Sequence, residues 1–287
     1  MCEQFSCIKD VQSRYACSSS FTYKVFYKHQ ETKIKEKVNY SWPELLGIDE
    51  HFFTRRKGFT EYATVLTDMK NKRLYEMVQG KDVKGLFAQL AHIQGRENVR
   101  MVVMDMSSSY RKFVRDFFPN AEIVADKFHV LRLLTPTIMK LQKQIHGHRQ
   151  ELTLKKLTLK NRTRLDYFVR SDMDKYLEQH PELNMIYRFK EKLFEFYRTK
   201  GVVRAVESFH RLTEQLKQTQ HPALMKLAKT MQAWKKEILL YFATGLTNAR
   251  TEAFNKTAKL VQRRACGYKN FKNYRLRTLN ACSRRTF

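Results

Sequence analysis

A chain of 287 residues with 55 Lys and Arg against 28 Asp and Glu carries a formal charge of +27, an imbalance that self-repulsion opposes unless a polyanion partners the fold. Nucleic acid leads that class; an anionic membrane comes second, because the basic residues are spread along the chain rather than gathered beside one apolar face. A hydrophobic content of 43% with 13% aromatics excludes wholesale disorder and suffices for a large core in more than one structural unit.

The amino-terminal MCEQFSCIKD contains no apolar signal core, and no apolar run reaches membrane-spanning length. The five cysteines, Cys2, Cys7, Cys17, Cys266 and Cys282, are odd in number and lack CxxC spacing. Neither a zinc ribbon nor a disulfide framework fits them, which suits a reducing, cytoplasmic compartment. Residues 11–26 read as the second half of a helix-turn-helix. Val11 and Tyr15 pack one short helix, Ser18 to Ser20 cap the next, and Thr22, Tyr23 and Lys24 fall near its start, where a recognition helix meets base edges. A short helical pair at a frayed terminus is the competing reading. From His29 to Lys37 the sequence is charged and reads as a linker.

The stretch Glu44-Leu45-Leu46-Gly47-Ile48-Asp49-Glu50-His51-Phe52-Phe53 reads as a strand started by Pro43. Alternation sets Leu46, Ile48 and Phe52 on one face and Gly47, Asp49 and His51 on the other. Strands deplete aspartate, and its buried charge demands compensation by a divalent cation or by a salt bridge. Gly47, two residues earlier on the same face, permits close approach of another backbone. Two further strands follow, Tyr62 to Asp68 and Arg73 to Gln79, joined by a turn at residues 69–72 into an antiparallel meander. Val83, Leu86, Phe87 and Leu90 recur at helical spacing within 82–92. Val99 to Met106 reads as a strand buried on both faces and bearing Asp105; a helix over 109–118 and a strand over 121–125 lead to Asp126 and His129. Three strands, helix, strand, helix, strand is the order of a ribonuclease H-like α/β core.

From Val130 to about Tyr241 the pattern is almost wholly helical. Between Lys140 and Arg170 the basic residues, Lys155, Lys156, Lys160 and Arg162 among them, face only Glu151 and Asp166. That run is either a solvated helical face or a DNA-contacting surface. Beyond Gly245, Thr247 or Asn248 caps a last helix, whose spacing sets Asn248, Glu252, Asn255 and Lys259 on a polar face and Phe254, Ala258 and Val261 on another.

Taken together, GIDEHFF, VVMDMSSSYRKFV, PNAEIVADKFHVLRLL and LTNARTEAFNKTAKLVQRRACGYKNF resemble the ordered motifs of the DDE transposases of bacterial insertion sequences, in particular the ISL3 group. The resemblance runs from about Pro43 to the end. It implies a metal-dependent enzyme of DNA cleavage and strand transfer, with Asp49, Asp105 and Glu252 as the catalytic, metal-holding triad. It implies Asp126 and His129 as a supporting element, to which the polar helix face adds Asn248 and Asn255, and a ribonuclease H-like core in two pieces, 41–130 and 245–287, around an all-α insertion at 131–244. Residues 1–40 depart from the family pattern: half a helix-turn-helix and no zinc-binding cysteines read as a truncated front. Expected partners are double-stranded DNA, at transposon ends and target, and further copies of the chain on that DNA, with no membrane. Lys24, Lys155, Lys156, Lys160, Arg162, Lys259, Arg263 and Arg264 are the expected phosphate contacts. Two Mg²⁺ ions about 3.5–4 Å apart, with Mn²⁺ as a substitute, suit three carboxylates and an in-line displacement at phosphorus. The alternatives are a non-catalytic, transposase-derived DNA-binding protein, and a ribonuclease H-like nuclease or junction resolvase.

Overall fold

The Asp49 stretch forms β1 (Leu45–Arg56), the middle of a five-stranded sheet. The computed structural model describes residues 8–37, 41–56, 59–147, 157–265 and 267–283. With β2 (Phe59–Asp68), β3 (Arg73–Gln79), β4 (Met101–Met104) and β5 (Glu122–Ala125), the strand order is β3-β2-β1-β4-β5. The first three strands form the expected antiparallel meander, and β4 lies parallel against β1. This is the mixed sheet of a ribonuclease H-like core, as the motif order implies. The β2–β3 turn is tied by the fully buried Asp68, whose carboxylate accepts from Asn71 N at 3.0 Å, Asn71 Nδ2 at 2.8 Å and Arg73 Nε at 3.0 Å. β4 is shorter than the apolar run that encodes it, because a 3₁₀ turn at Arg96–Asn98 occupies the approach to Val99.

Alternation holds along β1 and decides what covers each face. Leu46 and Ile48 are fully buried; helix α4 (Ser108–Phe117) reaches the sheet through Tyr110, and helix α3 (Val83–Leu90) packs against α4 and β3. Both helices start on side-chain caps, Asp82 accepting from Gly85 N at 2.7 Å and Ser107 from Tyr110 N at 3.4 Å. Tyr110 hydrogen-bonds Thr64 of β2 at 3.0 Å, and Trp42, Phe113, Phe117 and Phe118 pack as one aromatic cluster. Phe52 shares the Leu46 face but is 43% exposed, while a register shift between Phe52 and Thr54 accompanies the burial of Phe53 on the opposite face.

That opposite face carries Phe53, Ala63, Val65 and Met77 and is covered by α12 (Ala249–Arg264) and α13 (Phe271–Ser283). Helix α1 (Ile8–Tyr15) and helix α2 (Ser19–Lys37) complete this region, and here the linker expectation is corrected. Residues 29–37 continue α2, because Phe26, Gln30 and Ile34 recur every four residues as a buried stripe against α13. Asn280 Nδ2 donates to Gln30 O at 3.2 Å, and Lys272 pairs with Glu31 at 2.6 Å. Ser18 accepts from Phe21 N at 3.3 Å as the expected cap. Thr22 is buried, however, with its hydroxyl donating to Ser18 O, so of the three expected base-edge residues only Tyr23 and Lys24 are exposed.

The chain divides into two compact units, one of Met1–Ile123 with Asn248–Phe287 and the other of Val124–Thr247. The second is helical: α5 (Lys127–Leu131), α6 (Thr135–His146), α7 (Tyr167–Glu178), α8 (Pro181–Phe196), α9 (Val202–Gln218), α10 (Pro222–Ala233) and α11 (Lys235–Thr244), which ends at Gly245 with φ +66°. Helix α8 is its centre, with Leu183, Ile186, Leu193 and Phe196 buried. Beside them the buried Lys190 donates to the carbonyls of Thr158 and Lys160 at 2.8 and 2.6 Å and pairs with Glu191 at 2.6 Å. No helix among the described residues is long and apolar enough to cross a membrane.

Candidate active site

The site is built where the pairing of β1 with β4 ends. Their last paired residues are Ile48 and Met104. The next residue on each strand is an aspartate, Asp49 and Asp105, and one carboxylate oxygen of each lies within 4.8 Å of the other. Parallel register puts both side chains on the same face of the sheet.

Over Gly47 and Asp49 helix α12 meets that face with side-chain amides, while its Phe254 and Ala258 join the apolar packing on Phe53, Val65 and Met77. Asn248 Nδ2 donates to Ile48 O at 2.8 Å; Asn255 Nδ2 donates to Asp49 Oδ2 at 2.7 Å; Gln262 Nε2 donates to Phe53 O. The three carboxamides are seven residues apart, two turns of helix, so they form one stripe that follows β1 in the same direction. Asn248 holds the N-cap position of α12, but its side chain makes no capping bond and is spent on the strand instead. Close approach requires Gly47: a Cβ there would stand 2.8 Å from Asn248 Oδ1 and nearer still to Thr251 Oγ1. Asp49 Oδ1 accepts from Glu50 N at 2.8 Å, so both oxygens of this carboxylate have donors that fix its orientation.

Farther along the same face, His51 is 1% exposed, stacked on Tyr274 and within 2.5 Å of its hydroxyl at Nε2. Burial first, and then the positive charge of Lys259, pushes its imidazole down to about 4, so it is neutral. His51 therefore belongs to the packing of α13 on the sheet, not to the acidic pair.

Glu252 lies in the first turn of α12, its side chain 41% exposed, with Lys256 Nζ at 3.7 Å. Asp49, Asp105 and Glu252 do not all come within 4.8 Å of one another. In the helical unit Asp126, 2% exposed, is hydrogen-bonded to His129 Nδ1 at 3.0 Å, an orienting contact of the carboxylate–imidazole kind. Of the expected phosphate contacts, Lys24, Lys160, Lys259, Arg263 and Arg264 are exposed, and Lys155 and Lys156 lie outside the described residues. Arg162 is committed within the fold: its guanidinium forks onto Asp174 with bonds of 2.5 and 2.6 Å. The sequence reading did not single out Thr251, Gln262 or Tyr274. The first has no signal of its own, but Gln262 completes a seven-residue amide repeat that is visible in the sequence.

A transposase family model of the DDE ISL3 type matches residues 46–278. The chain belongs to the ISL3 family of DDE transposases. It is similar to the transposase for insertion sequence element IS1001 of Bordetella parapertussis, with 26% identity over 239 residues, 79% of this chain and 58% of that protein. The chain thus spans less than two thirds of that curated relative's length. Asp49, Asp105, the three carboxamides and Glu252 all fall inside the ISL3 match.

A divalent cation fits the donor set. Two oxygens 2.0–2.1 Å from one Mg²⁺ stand at most about 4 Å apart, and the two carboxylates, with oxygens within 4.8 Å of each other, are hard, anionic ligands.

Proposed function

We propose that the chain catalyses divalent-metal-dependent cleavage of DNA strands at the ends of an insertion sequence and their transfer to target DNA. The observation that carries this reading is the Asp49–Asp105 pair just beyond the last paired residues of two parallel strands, in a chain of the ISL3 family with a net charge of +27. Bound Mg²⁺, or Mn²⁺ in its place, supplies electrostatic stabilisation of the attacking and leaving oxygens at phosphorus. Asp49 and Asp105 hold it, and Glu252, carried on α12, is the third acidic ligand. Asn255 keeps the Asp49 carboxylate in one orientation, while Asn248 and Gln262 hold α12 in register with β1. Asp126 and His129, hydrogen-bonded to each other, remain supporting residues.

The substrate is double-stranded DNA, at the element's ends and at the target, and the working form is an assembly of several copies on that DNA. Lys24, Lys155, Lys156, Lys160, Lys259, Arg263 and Arg264 contact phosphates, which position the duplex without reading its sequence. Arg162, held by Asp174, shapes this surface rather than contacting it.

The test is a cleavage and strand-transfer assay on a duplex carrying the repeats that flank the gene, with Mg²⁺ and the full chain. Asp49→Asn should abolish both activities and leave DNA affinity equal or slightly higher. Cleavage by the variant at a tenth of the wild-type rate would overturn the assignment. Wild-type cleavage without any joined product would favour a nuclease.

A further inference from the structure

One turn of the helical unit displays side chains that neither its core nor the acidic pair uses. Tyr167 and Phe168, at the start of α7, are 77% and 78% exposed, more than any other large hydrophobic residue among those described. Their ring centroids are 5.7 Å apart at an interplanar angle of 80°. The turn that carries them is firmly tied. Leu165 is buried, Asp166 caps α7 by accepting from Val169 N at 2.9 Å, and Arg170 Nε donates to Leu165 O at 2.7 Å. On its other side Arg162 grips Asp174 with its guanidinium and Glu191 with its backbone N–H, the latter at 3.1 Å. Two large rings held in water on an anchored turn are not explained by packing.

The surrounding charge selects the partner. Residues 160–170 carry Lys160, Arg162, Arg164 and Arg170 against Asp166 alone, and Lys160 and Arg164 are exposed. A second copy of a chain with net charge +27 is a poor occupant for such a patch, because like charges oppose the contact. A polyanion with exposed apolar faces fits it. Bases inside a duplex are covered by their neighbours, whereas an unpaired base presents a π-face for an aromatic ring while its flanking phosphates meet Lys and Arg. We infer that Tyr167 and Phe168 form a stacking platform for an unpaired nucleobase of bound DNA, with Lys160 and Arg164 on the adjoining phosphates. This rests on the DNA reading above and adds to it a substrate feature: a distorted or single-stranded position rather than uniform duplex.

The experiment compares two duplexes of equal length with the full chain, one fully paired and one with 2-aminopurine opposite an abasic site. The wild type should bind the unpaired probe about fivefold or more tightly than the paired one, the lower end of what one stacked base contributes, and should quench its fluorescence. Tyr167→Ser with Phe168→Ser should remove that preference and the quenching and leave the paired duplex bound as before; Tyr167→Trp with Phe168→Trp should keep both. If wild type and serine variant bind both probes equally, the platform is refuted and the DNA reading stands. If neither probe is bound, the DNA reading fails and the platform with it. If the serine variant changes the oligomeric mass in light scattering but not the base preference, the surface belongs to a second copy and the inference is overturned.

Discussion

The two faces of β1 are sealed by different chemistry. On the side of Leu46 and Ile48 the seal is apolar, with Trp42, Phe113, Phe117 and Phe118 joined in an aromatic cluster whose neighbouring ring centroids are 4.8–5.8 Å apart. Over Gly47 and Asp49 the contact is polar, with carboxamides of α12 donating to the strand and to the acid itself. Apolar burial is non-directional and grows with area, so it supplies stability but tolerates small slides. A carboxamide bond at 2.7–2.8 Å is directional and does not. The first face keeps the sheet folded; the second fixes where one carboxylate points.

Substitutions on the two faces should therefore separate stability from chemistry. Phe113→Ala should have the largest thermodynamic effect, about 3–5 kcal/mol in denaturant unfolding, through the cavity it opens. Its specific activity, corrected for the folded fraction, should stay close to that of the wild type. Gly47→Ala should cost about 1–3 kcal/mol by forcing α12 away from β1, and it should also depress cleavage by the folded protein. Adding Thr251→Ala, which removes the nearest obstructing hydroxyl, should recover part of both; a double variant no better than the single would mean that α12 does not approach β1 there. Asn255→Ala should be the mildest for stability, about 1 kcal/mol, yet should lower cleavage at least about tenfold by releasing Asp49 from its donor. Equal proportional losses of stability and activity across all three sites would erase the distinction between the faces.

Much of this division was legible in the sequence. Alternation along β1 placed Gly47 with Asp49, and the strand order of the motifs brought Asp105 beside it. The polar side of α12 was visible through Asn248 and Asn255. Grouping these residues with the exposed Lys259 instead of with Gln262 obscured the amide stripe, because a face chosen by polarity mixes residues that bond to the strand with residues that meet solvent. The misreading of residues 29–37 had a similar cause. Charges dominate that stretch, but Gln30 and Ile34 continue a stripe from Phe26 whose partner, α13, meets Gln30 through Asn280, 250 residues later in the chain. The local sequence does not announce such a partner. Nor did it reveal that Arg162 is bound to Asp174, since a guanidinium facing phosphate and one facing a neighbouring carboxylate look identical in a row of basic residues.

The central claim is that Asp49 and Asp105 together hold the divalent cation on which cleavage depends. The most direct test is metal-switch rescue: replace Asp105 and, separately, Asp126 by Cys, and measure cleavage by the full chain with Mg²⁺ and then with Mn²⁺ or Cd²⁺. Asp105→Cys should lose Mg²⁺-supported cleavage and regain a measurable part of it with the softer metal. Asp126→Cys, whose native carboxylate is engaged by His129, should show a smaller loss that no change of metal repairs. Rescue at Asp126 together with Mg²⁺ activity intact at Asp105 would contradict the account and move the metal away from the β1–β4 pair.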